Sequence, residues 1–336
     1  MPGYAAEMTD EGDLTVAVTG PTGTFGLALM PLLQADKQVT RVIGIARRPF
    51  DPADRGWTKM EYRRGDVRDP EALTAAFDGA DAVVHLAFLI ISGSKETTQA
   101  INVEGTLNTF RAAAEAGARR FVYASSIAAY GFHRDNPVGI TEDWPTRPAD
   151  RLFYAQEKAE LERLLLDEAE GHPEIDLYML RPPIVLGPDA VGAKAQLSPG
   201  LVQVLQFLRS GIRRLRVVPA VVPDLPVQLI HQDDVAEALR LCVVAAGPPG
   251  AYNIAADDVV NGVDVLRELG FLPLAVPGKP VAAVARAIAT LPFLPSGMQW
   301  VEALSHPAIM DTSKARTELG WSPKHSALES LRATLS

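Results

Sequence analysis

The stretch Leu14-Thr15-Val16-Ala17-Val18-Thr19-Gly20-Pro21-Thr22-Gly23-Thr24-Phe25-Gly26 decides the fold. A β-prone run ends at a glycine, and glycines recur at 20, 23 and 26 as an apolar helical pattern begins over Thr24–Gln34. A glycine repeat alone says little; a strand before it and a helix after it give it meaning. Gly20 permits the tight turn, Gly23 lets the backbone approach a pyrophosphate, and Gly26 lets the helix pack closely on the sheet. The N–H groups and dipole at the helix start favour negative charge. Gly20, Thr22, Gly23, Thr24, Phe25 and Gly26 are therefore the expected phosphate loop for a dinucleotide.

Strand and helix patterns alternate outward from this loop. Further strands are expected at Arg41–Ala46, Met60–Arg64, Ala82–Ala87, Arg120–Ala124 and Ile175–Leu180. Helices are expected at Glu71–Phe77, Glu96–Ala116 and Phe153–Ala169. The alternation implies an α/β doubly wound parallel sheet of Rossmann type, with its ligand crevice at the carboxyl ends of the strands. Regularity fades after Arg181, where Pro182, Pro183 and Pro188 interrupt it. The expected division is a dinucleotide-binding unit over 13–181 and 228–255, and a smaller, discontinuous C-terminal substrate-binding region over 182–227 and 256–336.

Composition bounds the function. The 336 residues are 47% hydrophobic and 22% charged, enough for a sizeable core. A formal charge of -9 argues against a nucleic-acid partner, which needs a basic face. The single cysteine, Cys242, sits among Leu241, Val243 and Val244 and reads as a buried thiol in a reducing, cytoplasmic setting. Residues 1–12 read as a disordered leader, without the apolar core of a signal peptide. The apolar run Val281–Leu294 is too short to cross a membrane, which takes about 20 residues. No cysteine or histidine spacing suggests a metal site. His231, Asp233 and Asp234 mark a strand-to-helix junction whose acids would cap the helix.

At the end of the second strand, NAD-selective sites carry an acid for the ribose 2′-hydroxyl. This chain has Ile45-Ala46-Arg47-Arg48 instead. Arg47 or Arg48 would grip a 2′-phosphate, which favours NADP(H), with NAD(H) possible if both stay in solvent. Asp66, before Val67, would accept from an adenine amino group or cap the helix after Pro70.

The reactive constellation is Tyr154-Ala155-Gln156-Glu157-Lys158. Residues four apart share a helix face, so the Lys158 ammonium is expected near the Tyr154 phenol, lowering its pKa toward useful acid/base work. The strand Phe121–Ala124 runs into Ser125 and Ser126, placing a hydroxyl at the crevice.

The order TGPTGTFG, GDVRD, VVHLA, NVEGT, YASSIAAYG and YAQEK, with LRPPIVLGP, LIHQDDVAEAL and GAYNIA beyond, resembles the extended short-chain dehydrogenase/reductase family, which holds the NAD-dependent epimerase/dehydratase proteins. The resemblance implies Ser126 as catalytic serine, Tyr154 as acid/base, and Lys158 as its partner and a ribose contact. Leu86, Ala87 and Val67 join the cofactor contacts. Asn102 implies a relay or structural role, and His85 a structural one. Homodimers built on the helices at 96–116 and 153–169 are common in such proteins. Three departures bear on substrate. Ser126 is followed by Ile127-Ala128 rather than the Asp-Glu pair of 4,6-dehydratases. No Asn follows Arg181-Pro182, and Gln228 falls in the segment where a diphosphate-clamping Arg is often found. Arg213, Arg214 and Arg216 are alternative clamps. The apolar run Phe88-Leu89-Ile90-Ile91 suits a partly apolar small-molecule substrate. The expectation is an NAD(P)-dependent oxidoreductase acting on a ketone or alcohol. An NDP-sugar 4-epimerase and a non-catalytic dinucleotide sensor stand as alternatives.

Overall fold

The structure, a computed structural model, describes residues 13–89, 95–150, 152–190, 219–277 and 306–335. The expected leader, the apolar run at 281–294, the tip of the apolar loop at 90–92 and the arginines at 213–216 lie outside these residues.

Its centre is a seven-stranded parallel sheet. The strands are β1 (Leu14–Thr19), β2 (Val39–Ala46), β3 (Met60–Arg64), β4 (Ala82–His85), β5 (Arg120–Ala124), β7 (Asp176–Arg181) and β11 (Gly250–Asn253), in the spatial order 3-2-1-4-5-7-11. The direction of winding reverses between β1 and β4, opening a crevice at their carboxyl ends. Alternation along β1 explains the two cores. Val16 and Val18 face Leu29 and Leu33 of helix α1 (Thr24–Ala35), while Ala17 faces the opposite layer. That layer contains Phe77 of α2 (Pro70–Phe77), Phe110 of α4 (Gly105–Glu115) and Leu161 and Leu165 of α5 (Phe153–Gly171).

The long helix expected over 96–116 is present in three parts. After α3 (Lys95–Gln99), a π-helical turn spans Ala100–Glu104 before α4 begins. Such turns recur at functional sites, and this one carries Asn102.

Within the piece 228–255 that was expected to return to the main sheet, the strand β10 (Pro226–His231) does not join it. The edge of β7 is taken by β11. β10 pairs instead with β8 (Ile184–Leu186) in parallel and β12 (Val259–Asn261) antiparallel. Helix α6 (Gln232–Val243) returns to the main sheet, with Val235, Leu239 and Cys242 in the same core as α1. The Cys242 thiol is buried there, and burial pushes its pKa up, as expected for a structural thiol. Two smaller pairs lie outside the main sheet: β6 (Val138–Ile140) with β14 (Ile309–Met310), and β9 (Pro219–Asp224) with β13 (Leu272–Pro277). Helices α7 (Gly262–Glu268), α8 (Ser313–Glu318) and α9 (Ala327–Leu335) follow in chain order. Among the described residues, no helix is long and apolar enough to cross a membrane.

Candidate active site

The phosphate loop lies where the crevice opens. Gly20 has φ +74°, and a Cβ there would meet the Ala87 backbone nitrogen at 3.0 Å, so the loops after β1 and β4 touch. At Gly26 a Cβ would collide with the Pro21 carbonyl. Gly23 caps α1 without any side-chain cap bond, which leaves the first turn open to an anion. Thr22 and Gly23 are exposed, and Phe25 is half-buried. The Thr24 hydroxyl donates to the Asp189 carbonyl at 2.8 Å, tying the loop to the chain beyond β8. Leu86 and Ala87 are held by their backbone N–H groups against the Thr19 hydroxyl. These features fit a dinucleotide diphosphate.

At the adenosine end, Arg47 and Arg48 are exposed beyond β2. Asp66 is gripped by Arg68, whose Nε and guanidinium nitrogen donate at 3.0 and 2.7 Å. Arg68, and more weakly Arg47, hold the Asp66 carboxyl below its ordinary range. The capping alternative for Asp66 fails, because Asp69 accepts from Ala72 N and caps α2. Val67 packs under α4, where a Cβ on Gly105 would approach its Cγ2 to 2.5 Å.

At the carboxyl end of β5, Ser126 has extended backbone and its hydroxyl accepts from Ala128 N at 3.2 Å. The Ser126 hydroxyl lies close enough to the Tyr154 phenol to favour its ionised form. The strand end and the first turn of α5 thus meet at one point.

Lys158 departs from the expected pairing. Its Nζ donates to Tyr123 Oη at 3.0 Å and to the Ala124 carbonyl at 2.8 Å. It lies 3.5 Å from the centre of the Phe88 ring and 5.9 Å from that of Tyr154. The spacing does put both residues on one side of α5, but a buried ammonium takes the nearest acceptors and π-face it can reach. The phenol is consequently not lowered. Burial pushes the Tyr154 pKa up; the Ser126 hydroxyl opposes this and the charge of Glu157 adds to it. Burial also brings Lys158 down to about 7, against the pull of Glu157 and Glu162.

Two acids of α5 that the sequence pattern did not mark help hold this centre. Glu157 and Glu162 are buried although they stand in a charged helix. Asn102 clamps Leu89 through both its backbone groups and donates to Glu157 Oε2 at 3.2 Å. Glu162 accepts from Ser125 Oγ and from Arg181, whose guanidinium also donates to Tyr130 Oη at 2.6 Å. The available signal was Arg181 itself: a charge ending an apolar strand requires a buried partner. Ser125 therefore faces this network, while Ser126 faces Tyr154. His85 bridges Thr19 and Thr106 and is structural.

The helix-capping expectation at 231–234 is corrected too. The His231 imidazole is the cap, accepting from Asp233 N at 3.2 Å, and Asp234 turns to the C-terminal segment. Gln228, in the segment where the clamping arginine is often found, pairs both ways with the Met310 backbone.

A family model for the NAD-dependent epimerase/dehydratase family matches residues 16–255. The chain belongs to this family. An uncharacterized protein of Mycobacterium tuberculosis is 28% identical over 320 residues, covering 94% of this chain and 81% of its own. The sterol demethylase protein B of Methylococcus capsulatus is 31% identical over 180 residues, covering 52% of each chain. UDP-glucose 4-epimerase of Thermotoga maritima, solved with UDP-glucose, superimposes with a TM-score of 0.71 at 19% identity, covering 96% of this chain and 97% of its own. At that identity the likeness speaks for the fold. Epimerase/dehydratase family members are NAD-dependent enzymes by description, and the neighbour MoeE5 was solved with NAD.

Proposed function

We propose that this chain is an NAD(P)-dependent oxidoreductase of the extended short-chain type, acting on a ketone or secondary alcohol carried by a partly apolar molecule. The observation that carries the reading is the convergence of Ser126, at the end of β5, and Tyr154, in the first turn of α5, where the Ser126 hydroxyl acts on the phenol. When bound, the nicotinamide supplies or takes the hydride. Ser126 orients the substrate oxygen, and Tyr154 gives or takes its proton at Oη. The raised Tyr154 pKa keeps the phenol protonated at neutral pH, which suits proton donation to a carbonyl. Lys158, held by Tyr123 and the Ala124 carbonyl, braces the end of β5 beside Tyr154.

Two features support an apolar substrate over a sugar nucleotide. Phe88 stands edge-on to Tyr154, with ring centres 5.8 Å apart. Gln228 is committed to Met310 and leaves no cation in that segment for a diphosphate. The relationship to a sterol-processing protein over half the chain points the same way. For the cofactor, Arg47 and Arg48 favour NADP(H), whereas the family description favours NAD.

Tyr154→Phe is the test, assayed by cofactor absorbance against a panel of hydroxylated and keto terpenoids and sterols. Turnover should fall by about 10²–10⁴, with dinucleotide affinity little changed. Near-normal turnover in the variant would sink the assignment. Racemised substrate without net cofactor reduction would favour the epimerase alternative.

A further inference from the structure

Away from the crevice, the fold joins two histidines that are far apart in the sequence. His231 ends β10 and stacks on His325, which precedes α9, with ring centres 4.0 Å apart and planes 26° apart. Asp233 brings Oδ2 to 3.5 Å from His231 Nδ1. One ligating atom from each of the three residues lies within 4.8 Å of the other two. His231 is buried, His325 half-buried and Asp233 exposed, so the cluster opens to solvent on its carboxylate side. Two metal bonds of about 2.0–2.1 Å at a tetrahedral angle put their ligand atoms roughly 3.4 Å apart. The His231 Nδ1–Asp233 Oδ2 edge already has nearly this length, so an ion there takes the Nδ1 lone pair in place of the long cap bond from Asp233 N.

A buried carboxylate stands behind the cluster. Asp234 is 1% exposed and accepts from the backbone nitrogens of Lys324 and His325 at 2.9 and 3.1 Å. It also lies 3.1 Å from His325 Nδ1. That contact places the ring proton on Nδ1 and leaves the Nε2 lone pair for another partner. A carboxylate bound to the far nitrogen is the arrangement that orients a metal-ligating histidine. The start of α6 disfavours a cation. Asp233 and Asp234 together bring two negative charges, which balance a divalent ion.

The plainer account is that His231 only caps its helix. A cap bond of 3.2 Å is at the long end of the range. A cap also requires neither a second imidazole stacked on the first nor a buried carboxylate behind that second ring. Imidazole nitrogens with one carboxylate select zinc and its neighbours over magnesium or calcium. We propose that His231, Asp233 and His325 form a site for a divalent transition-metal ion of the zinc class, completed by water, which fastens the C-terminal segment to the start of α6.

The test uses the full chain, titrated with Zn²⁺ by calorimetry, with Co²⁺ by visible absorbance, and with Mg²⁺ for comparison. One equivalent of Zn²⁺ should bind and raise the melting temperature. Co²⁺ should give the intense d–d bands of a four-coordinate site, and Mg²⁺ should have no effect. His325→Gln and Asp233→Asn should each weaken Zn²⁺ binding by about tenfold or more, while melting like the parent in the absence of metal. If His325→Gln melts early by itself, Asp233→Asn carries the test, since that side chain is exposed. Absence of Zn²⁺ binding would overturn the proposal. So would binding and cobalt bands that survive both substitutions, because the ion would then lie elsewhere on the surface.

Discussion

His85 shows how one residue can look reactive and be structural. Thr106 donates its hydroxyl proton to the Asn102 carbonyl, so it accepts from His85 Nε2–H. His85 Nδ1 then accepts from the Thr19 hydroxyl at 2.8 Å, and that oxygen already receives two backbone amides. A second ring proton has no acceptor. Burial, with a smaller contribution from Lys158, brings the imidazole down to about 3. The unfolded chain binds a proton that the folded chain refuses, so this contribution to stability is complete above pH 6.5 and is lost as pH falls toward 3. From pH 6.5 to 5 the loss should be about 2 kcal/mol. Urea midpoints across that window should drop more steeply for the parent than for His85→Gln; parallel curves would refute the assignment. Lys158 follows the same sign in another window. Its folded value near 7 lies below the usual lysine range, so stability should rise between about pH 7 and 10 in the parent and stay flatter in Lys158→Met.

At the scale of elements, the loop from β1 to α1 separates two uses of glycine. A Cβ on Gly26 would strike the Pro21 carbonyl, which is backbone and cannot swing aside. A Cβ on Gly23 would meet only the Gly20 oxygen at 3.4 Å, an ordinary contact. Gly26→Ala should therefore lose about 1–3 kcal/mol of stability as well as dinucleotide affinity. Gly23→Ala should melt within about 1 kcal/mol of the parent and still bind a nicotinamide dinucleotide at least tenfold more weakly. Fluorescence titration beside thermal melts distinguishes them, and equal stability losses would contradict the geometry. This loop was legible in the sequence because its glycines answer to local geometry. The strand end of β5 was legible too, but the local pattern there left Ser125 and Ser126 open. The direction of Lys158 was not legible. Helical spacing places its Cα on the right side of α5, but Tyr123, Ala124 and Phe88, which receive the ammonium, lie on other elements. Nor could the pattern show that Glu157 and Glu162 are buried, since their partners Asn102 and Arg181 lie far along the chain.

For the whole molecule, the question is whether the dinucleotide unit and the C-terminal region fold as one body. Several contacts cross between them. Trp321 is 1% exposed, lies in the same core as Val16, Leu29 and Leu239, and donates its indole N–H to the Asp234 carbonyl at 2.9 Å. Tyr252 Oη of β11 donates to Glu318 at 3.0 Å, and Lys314 Nζ donates to the Ala251 carbonyl at 2.9 Å. On the same face, Arg240 of α6 reaches Asp36 at the end of α1 at 2.7 Å. The C-terminal segment is thus a wall of the nucleotide unit's own core rather than an appended module. This was hidden from the sequence, where the tail carries only a few apolar positions. Trp321→Ala should cost about 3–5 kcal/mol, from the lost burial and an indole bond left unmade. Because the core is shared, near-UV and far-UV circular dichroism should still melt together in the variant, at a lower temperature. Two separated transitions, with the Rossmann unit melting at its original temperature, would show that the two regions are energetically independent.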